Sequence, residues 1–217
     1  MTTRQRIDLL ARACPRLFPR PELLRFVRTQ LGHVDALDRW IERDGVHVRA
    51  RPPRVIHHIC AGNLAISAIT SLAHGLLLGS RNTVKLPGPR EDDATRRGIV
   101  AFVRGLPGPL RRLVQLQTQR DERTLEQADI IIAFGNDATM AGLRARVRGD
   151  QKFIAHGHAV SLLWLDDPEH LTTLEARSCA TDVLTYDQLG CLSPQAIYLP
   201  PGSDMDALGA EDLLAAR

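Results

Sequence analysis

Three short segments place reactive or ligand-binding residue types where an apolar run gives way to a helical pattern. The first is Ile59-Cys60-Ala61-Gly62-Asn63. Asn63 reads in two ways: as the cap of the following helix, or as an amide whose NH2 group donates to a developing oxyanion in a cleft. The second runs from Ala133 to Thr139. Gly135 permits a tight turn and close approach of a ligand, and the first amides after Asn136 can receive a pyrophosphate. Its spacing is not G-x-G-x-x-G, so the usual dinucleotide fingerprint is absent. The third, Tyr186 to Pro194, sets Cys191 among turn residues. Cys14 falls in a helical pattern, Cys60 at a strand end and Cys179 inside a helix. Those three suit the role of a small buried hydrophobe. Cys191 is therefore the candidate nucleophile, a task that needs the thiolate. No C-x-x-C pair occurs, so neither a zinc site nor a disulfide framework is indicated, and no metal is expected.

The elements that must carry these residues follow from the spacing of apolar positions. Before Pro52-Pro53 the pattern is helical, with apolar residues at intervals of three and four around Ile7–Leu10 and Leu23–Leu31. A further short helix is predicted from Val34 to Glu42, closed by Asp44-Gly45. From Arg54 onward short apolar runs alternate with helical stretches. Strands are predicted at Val55–Cys60, Asn82–Leu86, Leu113–Gln117, Asp129–Phe134, Phe153–Ala155, Ser161–Leu165 and Ala196–Leu199. Helices are predicted at Asn63–Leu78, Asp92–Arg104, Glu122–Gln127, Asp137–Arg146 and Pro168–Leu184, with a weaker one at Met205–Ala216. This alternation implies an α/β fold with an open, mostly parallel, Rossmann-like sheet and helices on both faces. Ligands of such sheets bind where strands end and helices begin. The expected organisation is an N-terminal helical segment (1–53), a dinucleotide-binding domain (54–185) and the start of a further domain (186–217).

Composition narrows the function classes. The 217 residues suffice for one large domain or two small ones, and 44% hydrophobic with 24% charged residues is an ordinary globular balance. The longest apolar stretch, Leu64 to Gly79, carries Ser67, Thr70, Ser71 and His74, too polar for a bilayer span. The N-terminus lacks the apolar core of a signal peptide, so a cytoplasmic location is expected. A net charge of +3 and 4% aromatic residues argue against a nucleic-acid partner. Of 28 basic residues only Lys85 and Lys152 are lysines, which marks both for attention.

With Lys85 added, the three junctions resemble the aldehyde dehydrogenase superfamily, and within it the fatty acyl-CoA reductases of bacterial bioluminescence type (LuxC-like). Four segments in order carry the resemblance: AGNLAISAITSLAHGLLLGSRNTVKLPG (61–88), ADIIIAFGNDATM (128–140), FIAHGHAVSLLWL (153–165) and DVLTYDQLGCLSPQAIYL (182–199). It covers most of residues 54–199. It implies a cofactor domain of aldehyde dehydrogenase type followed by a catalytic domain. Cys191 falls on the family's catalytic thiol and Asn63 on its oxyanion-hole asparagine. Lys85 falls on the lysine at the adenosine ribose, and Gly135, Asn136 and Thr139 on the turn beside the cofactor phosphates. The implied reaction is reduction of a fatty acyl-CoA to an aldehyde by NADPH through a Cys191 thioester.

Two departures refine this expectation. Hydrolytic relatives carry a glutamate that activates water, whereas the matching stretch here is Ala155-His156-Gly157-His158. Without that base the acyl-enzyme is expected to exchange with CoA rather than hydrolyse. His156 and His158 read either as proton-transfer groups or as polar residues at a strand edge. Three residues after Lys85, where NAD-preferring members often place an acid, stands Gly88, with Arg90 nearby; this favours the 2′-phosphate of NADPH. Only 26 residues follow Cys191, so the resemblance implies that most of a catalytic domain lies outside this sequence. The expected partners are fatty acyl-CoA, NADPH and either a second copy of the chain or the missing catalytic half. The alternative is a truncated, non-catalytic dinucleotide-binding remnant.

Overall fold

A computed structural model describes residues 1–89, 93–157, 159–188, 190 and 193–203, and of Glu169, Tyr186 and Asp187 the backbone alone. Helix α1 (Thr3–Ala13) opens on a capping box. The Thr2 hydroxyl accepts from the Gln5 amide, and the Gln5 side chain accepts from the Thr2 amide. Helix α2 (Arg20–Leu31) has Pro in its first turn and stops at Gly32, whose left-handed backbone suits glycine. Instead of the helix predicted at Val34–Glu42, turns lead into a hairpin of β1 (Ile41–Arg43) and β2 (Val46–Val48). Asp44 and Gly45 both have positive φ, at 52° and 76°. A two-residue turn of that handedness matches strand twist, so Asp-Gly closes a hairpin rather than ending a helix.

The chain then alternates: β3 (Val55–Ile59), α3 (Ala65–Leu78), β4 (Arg81–Lys85), α4 (Ala94–Gly105), α5 (Gly108–Arg111), β5 (Val114–Gln117), α6 (Glu122–Gln127), β6 (Ile130–Phe134), α7 (Asp137–Arg144) and β7 (Lys152–His156). All five strands from β3 to β7 are parallel, in the order β5-β4-β3-β6-β7. The chain builds outward from β3 on one side and then returns to its other side, so a topological switch lies between β3 and β6. At the amino edge of these two strands, the Asp129 carboxylate accepts from the Arg54 amide at 2.6 Å and the Val55 amide at 3.0 Å. Direct pairing alternates the side chains of β3 between two faces. Ile56, His58 and Cys60 lie on the side of α3, with the larger apolar cluster of α1, α2, α3 and α4. Ile59 lies on the other side, in a smaller cluster with Leu125, Ile131, Met140 and Leu143.

Helix α1 belongs to this core rather than to a unit of its own. Ile7 and Leu10 are fully buried in the α3 cluster. The Arg6 guanidinium donates to the Leu77 carbonyl at 2.8 Å, placing a cation at the carboxyl end of α3. Helix α3 in turn sits very close to β4. The Asn82 side chain meets two polar groups: its amide donates to the Ser80 carbonyl at 2.7 Å, and its Oδ1 lies 3.1 Å from His58 Nε2. A Cβ on Gly75 would fall 1.9 Å from that oxygen, so only glycine fits there.

Contacts divide the chain into two units, Met1–Gly157 and His158–Arg217. In the second, β8 (Ser161–Trp164) pairs in parallel with β9 (Pro194–Tyr198). Between them the helix predicted from Pro168 is two elements: a single 3-10 turn at Pro168–His170 and then α8 (Thr173–Leu184). Thr172 and Glu175 form a capping box that starts α8 afresh. A second 3-10 turn, Thr185–Gln188, follows. Among the described residues no helix is long and apolar enough to cross a membrane, and no group of three His, Cys, Asp or Glu side chains could hold a metal ion.

Candidate active site

The carboxyl ends of the five parallel strands share one edge, and seven of the sequence-derived site residues lie along it. Asn63 lies four residues past β3, Lys85 is the last residue of β4, and Gly88 follows it. Gly135 is the first residue past β6, Asn136 and Thr139 begin the next helix, and His156 ends β7. Arg90, His158 and Cys191 lie outside the described residues.

Asn63 is exposed in the connection from β3 to α3. The N-cap position of α3 is taken by Leu64, and the helix has no side-chain bond at its cap. Cys60, by contrast, is enclosed: its amide donates to the Lys85 carbonyl at 3.1 Å, and burial pushes its thiol up to about 12. It cannot supply a thiolate near neutral pH. Burial also raises the thiols of Cys14 and Cys179.

At the junction after β6, the Asn136 carboxamide oxygen accepts from the Thr139 amide at 2.9 Å. This caps α7 and takes up one of the amides that a phosphate would use, while Asp137 puts a carboxylate in the same turn. A Cβ on Gly135 would make only ordinary contacts, at 3.4 Å, with Met140 and Thr139. Packing within the chain therefore does not demand glycine here; what glycine leaves is bare backbone at the edge. His156 pairs with Phe134 across β6 and β7, and its ring stacks on the phenyl at 4.6 Å with planes 10° apart.

The polar surface continues onto β4 and β5. His57, Thr83, Lys85 and Gln117 share the sheet face opposite α3, as their pairing requires. His57 Nδ1 lies 2.8 Å from the Thr83 hydroxyl, while His57 Nε2 and Gln117 Oε1 are buried without a hydrogen-bond partner. Burial holds His57 down at about 4, against a usual 6.5. Lys85 is lowered by burial first and then by the positive charge of Arg120. Beside it Gly88 leaves open space, with no atom within 4 Å of where a Cβ would stand. These residues fit the ribose end of a dinucleotide: a cation, an open approach and buried polar atoms left over by internal bonding. The capped start of α7 fits a phosphate less well.

Arg120, three residues past β5, was not among the residues selected from sequence. The rule that singled out the junctions after β3 and β6 would have found it if applied to Gln117–Asp121 as well.

A parallel sheet reversing at β3 and β6, with this edge, is the fold of aldehyde dehydrogenases. The chain superposes over its full length on aldehyde dehydrogenase 21 from Physcomitrella patens, solved with the product succinate (TM-score 0.62, 15% identity, 52% of that chain). It matches Gox0499, a protein studied for cofactor and substrate selection, with a TM-score of 0.70, 13% identity and 54% of that chain. A mutant of aldehyde dehydrogenase C from Pseudomonas syringae, solved with NAD+ and octanal, gives 0.67 at 13% identity, covering 98% of this chain and 50% of that one. More narrowly, the family model "Acyl-CoA reductase (LuxC)" matches residues 2–216, and the chain belongs to that family. Two similar relatives are named long-chain acyl-protein thioester reductases. The one from Aliivibrio fischeri is 25% identical over 185 residues, and the one from Vibrio harveyi is 26% identical over 185 residues. Each match covers 81% of this chain and 38% of the relative, so the chain spans well under half the length of these proteins.

Proposed function

We propose that this chain carries the cofactor-binding part and the acyl-accepting cysteine of a fatty acyl reductase, which converts an acyl thioester such as acyl-CoA to an aldehyde with NADPH. The observation that carries the reading is the placement of Asn63, Lys85 and Gly135 on one carboxyl edge, around the switch between β3 and β6. That is where open α/β sheets bind dinucleotides. Family membership adds the acyl chemistry.

In this reading the Cys191 thiolate attacks the thioester carbonyl, the Asn63 amide donates to the oxyanion, and the CoA thiolate leaves. Cys191 then holds the acyl group as a thioester. The dinucleotide, when bound, supplies a hydride to that carbonyl carbon. The resulting hemithioacetal on Cys191 collapses to aldehyde and thiolate. Ala155, His156 and Gly157 offer no carboxylate to activate water, which protects the acyl-enzyme from hydrolysis. Lys85 and the open backbone at Gly88 and Gly135 hold the dinucleotide.

The test follows the acyl group by mass. Incubation with a long-chain acyl-CoA should add one acyl group to Cys191 and none to Cys191→Ala, while Asn63→Ala should slow the addition by about 100-fold. NADPH binding is titrated in parallel by its fluorescence. NADPH binding without any acyl adduct at Cys191 would replace the enzyme reading by that of a non-catalytic dinucleotide module. Absence of both would refute the two readings together.

A further inference from the structure

The end of the sheet away from the candidate site carries a row of arginines. Arg81 is the first residue of β4, Arg54 stands directly before β3, and Arg112 lies two residues before β5. Backbone bonds hold these three strand starts level. The Arg81 amide donates to the Arg54 carbonyl at 2.9 Å, and the Asn82 amide donates to the Leu113 carbonyl at 2.7 Å. The Ser80 hydroxyl ties the approach to β4 to the Pro53 carbonyl at 2.7 Å. Arg51 adds a further charge on the segment that leads into β3. On the flank, the Arg111 guanidinium donates to the Arg104 carbonyl at 3.4 Å, across the end of α4. All these arginines are exposed.

Little on the chain balances this charge. The sequence holds no Asp or Glu from Gly45 to Arg90 or from Ala94 to Arg120, the two stretches that contain β3, β4 and β5. Asp93, between those stretches, pairs with Arg96 at 3.8 Å at the opposite end of the strands. At the amino edge itself, Asp129 accepts from the Arg54 and Val55 amides and lies 3.4 Å from the Arg54 guanidinium. Among the described residues Arg51, Arg81 and Arg112 form no ion pair. Other surface arginines do find carboxylates, as Arg20 does at Asp8 and Arg146 at Glu122, both at 2.6 Å. Like charges held at adjacent strand starts repel each other, and a partner bearing carboxylates relieves that repulsion.

We propose that this amino edge is a docking surface for an acidic helix of a partner protein, one with carboxylates on successive turns of a single face. Neighbouring strands lie about 4.8 Å apart, and successive turns of a helix about 5.4 Å apart. A helix crossing the strand starts sets one carboxylate against each of Arg54, Arg81 and Arg112, and a guanidinium fork takes a carboxylate bidentately. The surface suits this partner better than a lipid layer or a nucleic acid. Among residues 49–54, 79–81 and 104–113 no large apolar side chain is exposed. The edge thus offers nothing to enter a bilayer interface or to stack on a base. Because the candidate site lies at the other end of the strands, a partner held here leaves the approaches of substrate and cofactor open.

The experiment titrates fluorescent helical peptides with the 217-residue chain and follows their anisotropy. One peptide carries glutamates at i, i+4 and i+8, and a second of the same composition spreads them around the helix. Arg81→Glu and, separately, Arg112→Glu reverse one charge of the row. Arg123→Glu makes the same change of charge at the start of α6, at the opposite edge. Circular dichroism checks that these exposed substitutions leave the fold intact. The aligned peptide should bind more tightly than the spread one. Arg81→Glu and Arg112→Glu should each weaken it about tenfold or more, and Arg123→Glu should leave it within about twofold. Equal weakening by all three substitutions, or equal binding of the two peptides, would overturn the proposal by reducing the edge to bulk charge. Phosphatidylserine vesicles or a DNA duplex bound in preference to the aligned peptide would overturn it in favour of a lipid or nucleic-acid partner. An unsubstituted chain that binds none of these probes would refute the docking surface altogether.

Discussion

Acid should unfold this protein through two histidines buried side by side in β3. His57 and His58 have 1% and 0% of their surface exposed, and burial holds both at about 4 against an ordinary 6.5. His58 is fully engaged as a neutral ring. Asn82 uses its amide on the Ser80 carbonyl, so its Oδ1 accepts from His58 Nε2, which leaves Nδ1 to accept from the Ser71 hydroxyl at 2.8 Å. Because the folded values are depressed, the stability these groups confer is fully present above pH 6.5 and is lost as pH falls toward 4. In that window the unfolded chain binds protons that the folded chain does not, at a cost of about 1.4 kcal/mol per pH unit for each group. From pH 7 to pH 5 the pair should remove about 4 kcal/mol, out of the roughly 5–15 kcal/mol typical of a domain. His74, also lowered by burial, adds in the same direction. Asp35 and Asp129 do not contribute, because their carboxyls are lowered from 3.8 and lose their effect only below that value. Urea unfolding followed by circular dichroism at pH 7, 6 and 5 measures the loss, and NMR titration of the imidazole protons reads the two histidines directly. A loss under about 1 kcal/mol by pH 5, or imidazoles titrating near 6.5, would refute the reasoning.

Two further outcomes are expected. Gly75→Ala should destabilise the chain by about 3 kcal/mol, since its Cβ meets Asn82 Oδ1 inside a packed helix–sheet contact; an unchanged urea midpoint would show that α3 can lift from β4 at little cost. Brief alkylation with iodoacetamide at pH 8, mapped by peptide mass, should modify Cys191 before Cys60, whose thiol stands at about 12. Earlier modification of Cys60 would contradict its enclosure.

The alternation of strands and helices was readable because it depends on local periodicity. Glu122–Gln127 is helical at the same bounds in sequence and structure, and the five central strands fall within about two residues of their expected positions. The hairpin at 41–48 was not readable, because Asp44-Gly45 is consistent with a helix end until a partner strand is in place. The placement of Asn63, Lys85 and Gly135 at strand–helix junctions was likewise visible in the order of residues alone. Only tertiary structure could bring them to one edge, because the sequence does not state that β6 returns to the side of β3 away from β4. Arg120 illustrates the same limit: it is one of many arginines until the pairing of Lys85 with Gln117 brings the turn after β5 to the end of β4. The requirement for glycine at position 75 also comes from folding, since it depends on a side chain seven residues away on the neighbouring strand. Local spacing specifies elements and the residues at their ends; the order of strands in the sheet specifies which of those ends meet.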